Sequence, residues 1–203
     1  MIDQFLPERD QINPRWFHEW GALMGCPQLG ESLGQNDRIW DRVRTRMLET
    51  LGIDLNARLP ENEIISATAY ANDRQKLVRL CGLVVYGRLL CTRVAKSDFE
   101  TLAKQFSVEE LQLAVSMHHL HPQVPPFSTD NSRLNTLINR AGEACLSAWK
   151  TTLTDQTNMR LLLIEQSDET EELVSQNIGP ELASQIVDEI SNAMMREAHS
   201  IAA

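Results

Sequence analysis

The stretch MHHLHP, residues 117–122, is the chain's one cluster of histidines. On a helix, His118 and His121 stand three residues apart and share a face, as two imidazole ligands of a divalent metal would. No third ligand follows at a known spacing, and HHLH is not the HExxH of the zinc proteases. The other reading is a polar helix end before Pro122, where protonated imidazoles complement the helix dipole. That reading is preferred. A metal-dependent enzyme using His118, His119 and His121 is kept as an alternative.

The remaining chemistry-bearing residues are less suggestive. Cys26, Cys81, Cys91 and Cys145 form no CxxC and no tight cluster. Cys81 and Cys91 lie in RLCGLVVYGRLLC (79–91), the most apolar passage. On a helix they are separated by about 15 Å, whereas bridged Cα atoms lie roughly 4.4–6.8 Å apart. A disulfide and a shared metal are thereby excluded for this pair, and the two read as small packing residues. With no secretion signal in MIDQFLPERDQ, the cysteines are expected to be reduced thiols of a cytoplasmic protein. Gly82 and Gly87 are not followed by the Lys-Ser/Thr of a phosphate loop, and no GxSxG appears. The carboxylate pairs Glu109-Glu110, Glu171-Glu172 and Asp188-Glu189 sit in solvated stretches, without the desolvation that acid–base work requires. No catalytic residue, cofactor or metal is expected.

The elements that carry these residues are helical. Ile39, Trp40, Val43, Met47 and Leu51 recur at helical steps and Gly52 supplies a stop. A second helical stretch opens near Glu61, is interrupted at Asn72-Asp73, and resumes toward Ala95. The part around 79–91 is apolar nearly all round, which marks a central helix. Its apolar run is too short for a membrane span, which needs about 20 residues. Gly82 and Gly87 are expected where crossing helices approach closely. Ser97–Glu100 and Ser107–Glu110 are capping boxes; the second opens a helix bearing Val108, Leu111, Val115 and Met117. Three prolines make 122–132 a loop. A long helix is expected over 130–153, MRLLLIEQ (159–166) is ambiguous between strand and helix, and an amphipathic helix follows Gly179-Pro180.

No alternating strand pattern is present, so the fold class is mostly α: a single irregular multi-helix domain over 1–203 with a C-terminal amphipathic helix. Residues 1–35, broken by proline and glycine, read as an irregular aromatic arm, and 180–203 as an appended helix. The net charge of −9 argues against nucleic acid. The arginines of DRIWDRVRTRM (37–47) alternate with Asp37 and Asp41 and form a solvated face. Partner-binding candidates are Trp16 and Trp20 of the arm and Leu182, Ile186, Ile190 and Met194 of the last helix. Core packing is the default reading for each group.

RLCGLVVYGRLLCTRV, INRAGEACLSAWKTTL and NMRLLLIEQ resemble successive parts of the SctK (YscK/MxiK/OrgA) family of type III secretion proteins. INPRWFH resembles the family's N-terminal proline–aromatic–histidine segment, with one residue fewer between Pro14 and His18. The likeness covers about residues 70–166, and the last helix has no counterpart in it. The resemblance implies a non-enzymatic cytoplasmic adaptor of the injectisome sorting platform, peripheral to the inner membrane. Its implied partners are the SctD-like inner-membrane ring protein and the SctQ-like pod protein, with no nucleic acid and no direct membrane insertion. It transfers no interface residue. A cytosolic secretion chaperone or regulator is the second alternative.

Overall fold

The computed structural model describes residues 5–26, 28, 30, 32, 36, 38–92, 105–122, 131–165 and 178–202. The expected mostly α fold is what it shows, with no strand among the described residues. Within the 203 residues read as one domain, the backbone packs as two compact units: 1–71 with 153–170, and 72–152 with 171–203.

In the first unit, Pro14 and Gly25 bracket helix α1 (Arg15–Leu23). The supposed irregular arm is thus partly a helix, because these two residues act as start and stop rather than as interruptions. Proline presets φ at the N-terminus, where its missing N–H costs nothing. Gly25, at φ 75°, takes the left-handed turn. The Gly25 N–H then bonds the Ala22 carbonyl, and the Cys26 N–H bonds the Gly21 carbonyl at 2.8 Å. Helix α2 (Trp40–Thr50) ends in the same way. Gly52 has φ 79°, and the Ile53 N–H bonds the Leu48 carbonyl at 2.9 Å. The predicted glycine stop is correct. Ile12, Phe17, Trp20, Val43, Met47, Leu48, Ile53 and Leu163 form the core of this unit.

Helix α3 (Glu61–Val85) is broken at Asp73, where φ −152° and ψ 78° leave the helical region. The Asp73 carboxylate accepts the Lys76 N–H at 2.9 Å, so the expected cap is present. Ala71 closes the first unit and Asn72 opens the second. In the second unit α3 is buried from Leu77 onward apart from Arg79, with Leu77, Leu80, Cys81, Leu83 and Val84 each at most 1% exposed. It is the central helix that its composition predicts.

The run expected to reach Ala95 is interrupted at Tyr86, and residues 93–95 lie outside the described residues. Helix α3 ends at Val85, and α4 (Gly87–Thr92) begins after a turn at Tyr86. A Cβ on Gly87 would collide with the His121 imidazole. That glycine therefore admits a side chain, not the crossing helix expected of it. Cys91 is exposed on α4, so it is not the packing residue foreseen, while Cys81 is fully buried.

Helix α5 (Val108–Ser116) opens with the predicted capping box: Ser107 accepts the Glu110 N–H, and the Glu110 carboxylate accepts the Ser107 N–H. Its buried row is Leu111 and Ala114, with Met117 just beyond; Val108 and Val115 are exposed. Of the four residues expected to be apolar contacts of this helix, Leu111 and Met117 are buried and Ala114 joins them. A 3₁₀ turn, His118–Leu120, follows. Helix α6 (Asn131–Lys150) matches the long predicted helix, and α8 (Pro180–Ala202) packs on it. In the first unit, α7 (Asp155–Leu162) resolves MRLLLIEQ, which enters a helix through Leu162 and then turns. Most of the proline loop and the box at Ser97 lie outside the described residues.

Candidate functional site

The three histidines of MHHLHP serve three separate partners. His118 Nδ1 lies 3.3 Å from the Ser116 carbonyl oxygen, and His121 Nε2 lies 2.9 Å from that of Ala114. A carbonyl only accepts, so these ring nitrogens carry the protons that bond it. His119 Nε2 meets Glu189 Oε1 of α8 at 2.9 Å, with both side chains about half exposed. Among the described residues, no three His, Cys, Asp or Glu side chains converge as a metal site would require.

The described carboxylates of the pairs are also engaged, while Glu171 and Glu172 lie outside the described residues. Glu110, besides capping α5, accepts from Arg79 at 2.7 Å. Hydrogen bonds from its own backbone N–H and from Ser107 hold the Glu109 carboxyl below its ordinary value. A buried carboxylate that sequence reading missed is Glu63, on the first turn of α3. It accepts from the Thr154 N–H at 3.2 Å, from the Thr154 hydroxyl at 2.8 Å, and from the Thr157 hydroxyl. Thr154 is the N-cap of α7, so the charge sits at the positive end of a helix dipole. Saturated with donors, it serves as a structural anchor.

Arg160 of α7 is completely buried. Its Nη1 donates to the Phe5 carbonyl at 2.9 Å and its Nη2 to the Asp54 carbonyl at 2.8 Å. Burial pushes its guanidinium down from the ordinary value, and the Asp54 charge opposes that shift. Close by in sequence, the Leu163 carbonyl takes the Asn13 N–H at 2.7 Å, and the Leu162 carbonyl takes the Trp16 indole N–H at 3.0 Å. Residues 155–165 therefore tie the N-terminal segment down. No local pattern could have shown this, since the bonded residues lie about 150 positions apart.

The six partner-binding candidates separate by exposure. Trp20, Ile186 and Ile190 are buried, the last two completely. Leu182 and Met194 are half-buried at the edges of the α8 face. Trp16 is half-buried, with the Arg15 guanidinium 5.1 Å above its ring. Three exposed apolar side chains among the described residues of the first unit were not foreseen: Leu23 at 65%, Met24 at 56% and Leu162 at 44%. Leu23 and Met24 precede the Gly25 stop, and the helical period alone does not tell an exposed helix end from a buried one.

Among the described residues, no helix is long and apolar enough to cross a membrane. Compared with family models, with curated proteins and with solved structures, the chain matches none.

Proposed function

We propose that the chain is a non-enzymatic adaptor of a type III secretion sorting platform, joining an SctD-like inner-membrane ring protein to an SctQ-like pod protein. The resemblance over residues 70–166 supplies the identity of the system. One structural observation carries the adaptor reading. The histidines and buried carboxylate that would do chemistry are committed to internal bonds, while Leu23, Met24 and Leu162 stand exposed in a helical scaffold. A few anchors usually carry most of the affinity of a protein–protein interface, and exposed apolar side chains such as these offer surface that a partner can bury. A location in the cytoplasm at the inner membrane belongs to the same proposal.

The test is co-purification with the cognate ring and pod proteins, each expressed separately. Capture of both is the expected result, and substituting Leu23 and Met24 by serine should weaken capture of one of them. Failure to retain either protein would sink the reading.

A further inference from the structure

We draw no further inference here: the strongest candidate, the exposed apolar side chains of Leu23 and Met24 at the C-terminal end of α1 and of Leu162 on α7, belongs to the surface already described, and nothing in the structure shows what covers it.

Discussion

Gly82 of α3 lies against the backbone carbonyl of Ile138 on α6, so close that a Cβ at position 82 would collide with it. The contact is reciprocal: a Cβ on Gly142 of α6 would collide with the Val78 carbonyl of α3. The pairing of 82 with 138 and 78 with 142 makes the two helices antiparallel at their crossing. Each glycine costs about 1 kcal/mol of helix propensity relative to alanine, and close backbone approach is what it gives in return.

Alanine at Gly82 or Gly142 is therefore expected to destabilise, since the clash outweighs the propensity gain. Overpacking of this kind costs about 1–3 kcal/mol, and the atoms struck are backbone, which cannot rotate away. Two controls separate crowding from strain. A Cβ at Gly179 would meet nothing within 4 Å, so Gly179→Ala should be neutral. Gly25 has equally open surroundings but φ 75°, so Gly25→Ala should cost about 1–2 kcal/mol from left-handed strain alone. Urea midpoints of the four variants test the order, and a Gly82→Ala midpoint at or above wild type refutes the crossing argument.

The helix crossing was legible in outline because a helix apolar all round needs neighbours on several sides. Gly82 therefore had a stated reason, whereas Gly87 had the same sequence context and a different one, a histidine ring. Caps were legible because they are local: Asp73, Ser107 and Gly52 each bond within a few residues. The same locality hid α1. Pro14 and Gly25 are breakers inside a helix and good residues at its two ends, and composition does not distinguish these cases. Non-local relations were invisible. Nothing near Glu63 announces Thr157, 94 positions away, and the alternation of Arg with Asp in α2 does not say which arginine each acid takes.

The Glu63 cluster should behave as one unit. Glu63→Ala leaves the Thr154 N–H and one of the two threonine hydroxyls short of an acceptor, since the hydroxyls of Thr154 and Thr157 also lie 2.9 Å from each other. Buried donors left unpaired cost about 1–3 kcal/mol each. Thr157→Val removes one donor but leaves the carboxylate the other two, so it should cost less. A double-mutant cycle should give a coupling of about 0.5–3 kcal/mol. Simple additivity of the two losses would refute a direct bond between these side chains.

Arg160 should govern the order of the N-terminus rather than any activity. Replacing it by methionine removes both donors to Phe5 and Asp54 while roughly keeping the hydrophobic stem. The Phe5 and Asp54 carbonyls then lack these partners, and the segment through Asn13 loses one of its ties. Amide exchange at residues 5–13 is expected to rise above that of the α2 core, where Met47 and Leu48 are shielded. Lysine at the same position reaches only as a single charged head, without the fork that meets two carbonyls at once. Arg160→Lys should therefore also fail to restore protection. Full protection in both variants would show that the guanidinium bonds are dispensable.

The C-terminal helix offers a direct contrast between buried apolar and exposed ionic contacts. Ile186 and Ile190 are completely buried in the second unit, and α8 packs on α6. Truncating either to alanine should cost about 2–5 kcal/mol, the transfer and cavity terms together. Glu189 makes its ion pair with His119 where both side chains are about half exposed. Such pairs contribute roughly 0–1 kcal/mol, so Glu189→Gln should be near neutral at any pH at which the protein is folded. Deleting residues 180–203 should consequently lower stability sharply, with partner binding lost as a result of unfolding. If the truncated chain keeps its urea midpoint yet loses a partner, then α8 acts as a docking helix instead, and Ile186 and Ile190 become its anchors.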